Sequence, residues 1–75
     1  MARLYPNPTT GLLHVELAGH PFRCQIMNLA GNVVMETAVS SARFDLDLSR
    51  LSSGMYLMKV VMDDGKSTYG KVVKQ

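Results

Sequence analysis

A chain of 75 residues supports one domain with a thin core and leaves little room for a deep substrate cleft, which argues against an enzyme. Hydrophobic residues at 47% and charged residues at 19% exclude a disordered tail. A net charge of +2, from eight Lys and Arg against six Asp and Glu, is too weak to point to nucleic acid.

In chain order, Pro6 and Pro8 each fix a φ angle and remove a backbone donor, so the opening segment enters as an extended or turned edge, and Gly11 frees the backbone to begin pairing. Leu13, Val15 and Leu17 alternate with His14 and Glu16, which predicts a half-buried strand over residues 12–18. Phe22, Cys24 and Ile26 alternate with Arg23 and Gln25, and Val33 to Thr37 forms a second β-branched run. Asn28-Leu29-Ala30-Gly31-Asn32 between them reads as a hairpin connection, with Gly31 suited to a positive φ.

After a polar link at Ser40-Ser41, Phe44, Leu46 and Leu48 point one way and Asp45 and Asp47 the other. Leu51-Ser52-Ser53-Gly54 is a corner leading into Met55 to Met62, an apolar run broken only by Lys59 and read as a strand covered on most of both faces. Asp63-Asp64-Gly65 marks a final hairpin into a strand over residues 66–73. No apolar pattern of helical period is sustained. Six to seven short strands with regular turns predict an all-β fold, a small antiparallel β-sandwich of Ig-like architecture. Residues 1–75 form a single domain in this reading, with residues 1–3 as linker or an appended start.

Candidate chemistry is sparse. Cys24 is the single cysteine, which excludes an internal disulfide and a cysteine-rich zinc site and reads as a small buried hydrophobe. His14 and His20 read as surface histidines, because no nucleophile and orienting acid accompany them in the sequence. Asp45, Asp47, Asp63 and Asp64 lack a calcium-loop pattern and read as solvated strand faces and turn chemistry. No catalytic residue, metal or cofactor is expected. Period two places Met58 and Met62 with Tyr56 and Val60 on the core face; Met55, Leu57, Lys59 and Val61 share the opposite face, the better candidate for a partner-contacting patch. No apolar run approaches the roughly 18 residues that cross a bilayer, so no membrane insertion is expected.

Four words stand out. Leu4-Tyr5-Pro6-Asn7-Pro8-Thr9-Thr10-Gly11 opens the chain, and Asn28-Leu29-Ala30-Gly31-Asn32-Val33-Val34 follows. Asp47-Leu48-Ser49-Arg50-Leu51-Ser52-Ser53-Gly54-Met55-Tyr56 comes third, and Lys71-Val72-Val73-Lys74-Gln75 closes the sequence. In order and spacing they resemble the C-terminal sorting domain of cargo exported by the type IX secretion system of Bacteroidota. The resemblance implies a secretion signal without enzymatic activity, fused behind a cargo domain whose own signal peptide lies far upstream. It implies transit through the periplasm, recognition by an outer-membrane translocon, removal by a sortase-like peptidase, and cargo left on the cell surface or secreted. Gly54, Tyr56, Lys71, Val72, Val73, Lys74 and Gln75 carry the family's glycine-tyrosine word and basic tail and are the expected partner-binding residues.

The residues alone support the tail as well. After Asp64 there are three lysines and no acid, and a last strand with unpaired backbone groups can take up a partner's strand or pair with a second copy to form a dimer. The other reading is an extracellular Ig-like accessory module that stabilises a neighbouring enzyme or binds glycan. Against it, most of Tyr5, Tyr56, Tyr69, Phe22 and Phe44 fall at core-like positions, whereas a glycan platform needs exposed aromatics.

Overall fold

The computed structural model describes residues 2–75 as seven strands: β1 (Ala2–Tyr5), β2 (Leu12–Leu17), β3 (Pro21–Asn28), β4 (Val33–Ala38), β5 (Arg43–Asp47), β6 (Gly54–Met62) and β7 (Ser67–Lys74). A three-stranded sheet in the order β1-β2-β5 faces a four-stranded sheet in the order β4-β3-β6-β7, and every pairing of neighbours within a sheet is antiparallel. The all-β sandwich expected from the alternation is the fold observed.

The core lies between the inner faces. Leu13 and Val15 of β2, with Leu46 and Leu48 at and beyond β5, meet Cys24 and Ile26 of β3, Met58 and Val60 of β6, and Val72 of β7. Each such side chain removed from water contributes on the order of 1.5–3 kcal/mol, which a chain without a disulfide depends on. Turns follow the local chemistry. The Asn28 side-chain oxygen accepts the N–H groups of Ala30 and Asn32, both at 3.0 Å, closing the β3–β4 hairpin. Asp64 does the same for the Lys66 N–H at 2.9 Å.

Three expectations are corrected. The opening residues are not linker: Ala2 and Arg3 pair with Leu17 and Glu16 in β1, while Met1 lies outside the described residues. Phe22 is exposed and Pro21 buried, because the β3–β6 register shifts between Pro21 and Arg23 and the bulge turns Phe22 off the core face. Finally, β6 is not covered on both faces. It is central in its sheet, yet among the described residues no layer stacks outside it, so Met55 and Leu57 remain 41% and 38% exposed.

The two sheets are linked along one side by the segment after β1. Leu4 packs over Gly70 of β7 so closely that a Cβ there would lie 2.7 Å from Leu4 Cδ1. Pro6 and Pro8, which cannot donate to a ladder, occupy the stretch where the chain leaves the first sheet and reaches the second.

Candidate functional site

The site is built on the last strand. Val72 is fully buried and Lys74 nearly so, while Lys71 stays exposed and Val73 is half-buried on the outer face. A lysine can occupy an inner row because its ammonium reaches back to backbone: Lys74 Nζ donates to the Gln75 carbonyl at 3.0 Å. The exposed-edge premise for Lys71–Gln75 is thereby corrected, because the edge is already occupied.

What occupies it is the proline-rich segment. Asn7 Nδ2 donates to the Lys71 carbonyl at 2.7 Å, and the Val73 N–H donates to Asn7 Oδ1 at 2.9 Å. Thr9 N–H donates to the Val73 carbonyl at 2.9 Å and Gln75 N–H to the Thr9 carbonyl at 2.8 Å, a short parallel bridge. Thr9 is itself buried and anchored, its hydroxyl donating to the Leu12 carbonyl at 2.7 Å and accepting the Gly11 N–H at 3.1 Å. Asn7 and Thr9 were not among the expected site residues. The signal for Asn7 was present, since an Asn between two prolines is the one side chain there able to donate and accept in place of the missing backbone groups.

The glycine-tyrosine word forms the adjoining corner. Tyr56 is 8% exposed, and its hydroxyl donates to the Ser52 carbonyl at 2.6 Å, the tyrosine-corner contact of Ig-like sandwiches. Gly54 opens β6 with φ of +153°, a conformation that side chains with a Cβ rarely adopt. Gly54 pairs with Lys74, Tyr56 with both Val72 and Asn28, and Met27 with Val33. The four words are thus in register at one end of the sandwich. Ala2, opposite Leu17, lies at the other end, beside the short link that leads from β2 into β3.

A second polar cluster lies on the outer face of the three-stranded sheet. His14 Nδ1 and Asp45 Oδ1 are 2.7 Å apart, Tyr5 donates its hydroxyl to Glu16, and the Arg3 guanidinium sits 5.1 Å from the Tyr5 ring centre. The Tyr5 hydroxyl holds the Glu16 carboxyl below its usual range, with Arg3 and Arg43 adding to the effect. The shallow hollow here, lined by Tyr5, His14, Glu16, Arg43, Phe44 and Asp45, contains no serine, threonine or cysteine to serve as a nucleophile. His20 is exposed in its turn, and Cys24 is buried with its thiol pushed up to about 11 by desolvation. Among the described residues no three His, Cys, Asp or Glu side chains gather as a metal site, and no helix is long and apolar enough to cross a membrane.

The aromatics are less buried than the alternation implied. Tyr5, Phe22 and Tyr69 are 37%, 46% and 54% exposed. They do not form one platform, because Tyr5 lies in the three-stranded sheet opposite His14, Tyr69 opposes Lys59 in the other sheet, and Phe22 sits at the β3 bulge.

No curated protein matches the chain. Among solved structures, the crystal structure of CopC from Methylosinus trichosporium OB3b is similar with a TM-score of 0.54 and 21% identity, covering 96% of this chain and 89% of that one, a likeness of fold alone. The family model described as the secretion system C-terminal sorting domain matches residues 3–75. The words gathered at this end of the sandwich are therefore those of an export label, and the chain belongs to the C-terminal sorting domain family of the type IX secretion system.

Proposed function

We propose that residues 1–75 act as one sorting unit behind an N-terminally joined cargo, carried through the periplasm and read by the outer-membrane translocon at the end of the sandwich where the four words meet. A sortase-like peptidase then separates it from the cargo. In this reading the chain performs no catalysis and needs no cofactor. Lys71, Val73 and Gln75 offer outward contacts. Gly54, Tyr56, Val72 and Lys74 shape and anchor the strand that presents them.

The observation that supports this reading is the pinning of Lys71–Gln75 by Asn7 and Thr9, which gives the tail one fixed shape in the folded domain. A bound extended segment can be recognised through its side chains when its backbone edge is filled, so strand addition is not required. The test fuses residues 1–75 to the C-terminus of a signal-peptide-bearing fluorescent protein in a type IX-competent bacterium. Deleting Lys71–Gln75 removes the core residue Val72 as well, so the sharper variant is Lys71→Glu with Val73→Ser. Export of the parent and periplasmic retention of that variant, with its fold intact by circular dichroism, is the expected result. Export of both at equal levels would move recognition away from the tail.

A further inference from the structure

The sorting reading uses only the β7 margin of the outer face of the four-stranded sheet, at Lys71 and Val73, and leaves the rest of that face without a use. Its register places Val33 of β4 beside Met27 of β3, Met27 beside Leu57 of β6, and Leu57 beside Lys71 of β7; the next outward row sets Met55 beside Val73. Leu29, at the tip of the adjoining hairpin, is 76% exposed. With strands about 4.8 Å apart, this apolar band runs roughly 14 Å across the sheet, a contiguous patch rather than scattered surface residues.

Charge on the face is one-sided. Glu36 is its acid, and it is taken by Arg23 and Gln25, each at 2.9 Å. Lys59 and Lys71 flank Leu57 and have no ion pair among the described residues. A like surface would set lysine against lysine, whereas a partner with acidic groups around an apolar ridge would meet both features. The band also lies at the end of the sandwich away from Ala2, so a cargo joined before β1 leaves it open.

We infer that this face is a docking surface for a protein partner that presents an apolar ridge bordered by carboxylates, with Leu57 and Met55 as the central contacts and Lys59 and Lys71 as the charged border. The inference rests on the sorting reading and extends it, since it locates recognition on a broad sheet face and not on the tail alone. Leu57 is the anchor, and truncating or charging such a residue costs about tenfold or more in affinity. Lys59 and Lys71 act chiefly on encounter, so their contribution falls as salt rises.

The experiment uses the same fluorescent fusion with three alterations. Leu57→Glu and Lys59→Glu, which leave the tail residue Lys71 in place, address the face, and Arg43→Ser, on the outer face of the other sheet, is the control. Thermal melts of the purified domain check folding, with Leu57→Gln held as the milder variant should Leu57→Glu unfold. Expected are export of the parent and of Arg43→Ser, surface fluorescence reduced about tenfold in both face variants, and a photo-crosslinking residue at position 57 that joins an outer-membrane protein segment containing acidic and apolar side chains. Parent-level export of both folded face variants would overturn this inference and leave the sorting reading standing. Retention of the unsubstituted fusion would overturn both.

Two other occupants have their own readouts. A purified domain that sediments as a dimer dissolved by Leu57→Glu would assign the face to a second copy. Binding to vesicles of phosphatidylglycerol that Lys59→Glu abolishes would assign it to an anionic lipid surface. Either result would overturn the protein-partner inference.

Discussion

Replacing Asn7 by Ala tests how firmly the first word holds the last strand. The substitution removes two bonds, the one donated by Nδ2 to the Lys71 carbonyl at 2.7 Å and the one accepted by Oδ1 from the Val73 N–H at 2.9 Å. Both are accessible to water, which replaces part of what is lost, so each contributes toward the lower end of the usual range and the pair about 1–2 kcal/mol. In a domain of this size that corresponds to a fall in Tm of about 5–10 °C. The backbone bridge through Thr9 remains, so the fold survives. The assay is a thermal melt by circular dichroism alongside amide exchange at Val73, whose N–H loses its acceptor. Asn7→Asp separates the two bonds, since a carboxylate still accepts from Val73 but sets an oxygen against the Lys71 carbonyl, so it should keep protection of the Val73 amide that Asn7→Ala loses without recovering the melt to the parent value. An unchanged melt together with unchanged protection of the Val73 amide in Asn7→Ala would refute the account.

Tyr56→Phe removes the hydroxyl that donates to the Ser52 carbonyl at 2.6 Å and should lower stability by about 1–2 kcal/mol in urea unfolding; a change below a few tenths would show that the corner is held by packing alone. Burial pushes the Cys24 thiol up to about 11, so iodoacetamide at pH 8 should label the native domain far more slowly than the urea-unfolded chain, and equal rates would contradict the burial. The carboxyls of Glu16, Glu36 and Asp47 are held below their usual values, by the Tyr5 hydroxyl, by Arg23 and by Ser49 respectively. Their folded values lie below the unfolded ones, so the stability they contribute is complete above the unfolded carboxylate range and fades as pH falls through the folded values. The urea midpoint should therefore drop between pH 7 and pH 3, and a midpoint that rises would be the contrary result.

The strands were legible because a sandwich with one wetted face per sheet writes its fold as period two, as Leu13 and Val15, Leu46 and Leu48, and Tyr56 to Met62 all do. The reading failed where something other than periodicity decides orientation. A bulge reverses Phe22, and no local pattern announces a bulge. In Lys71-Val72-Val73-Lys74 the pattern is symmetric, so sequence alone does not say which lysine turns inward; pairing with Gly54 and Thr9 settles it for Lys74. The flanking prolines mark Asn7 as an amide free to stand in for backbone groups, but its partner was hidden, since nothing nearby names a strand more than sixty residues away. Along β6 the apolar run was legible but not its cause. Met55 and Leu57 face outward without a covering layer, so the continuity of the run reflects an exposed band rather than burial on both sides.

The tie between Asn7 and the last strand also sets when the fold can be completed. Its two bonds close loops of 64 and 66 residues, almost the full length of the domain, so they belong to the latest and entropically most expensive contacts to form. During synthesis the first word emerges well before its partner exists, and the edge of the second sheet cannot be sealed until residues up to Gln75 are available. A chain shortened near its end by premature termination would keep its proline turn and most of its strands yet lack the closed edge, and would display an open strand instead of a finished tail. The same bonds that shape the tail thus make its shape a record that the first and last words are both present and paired.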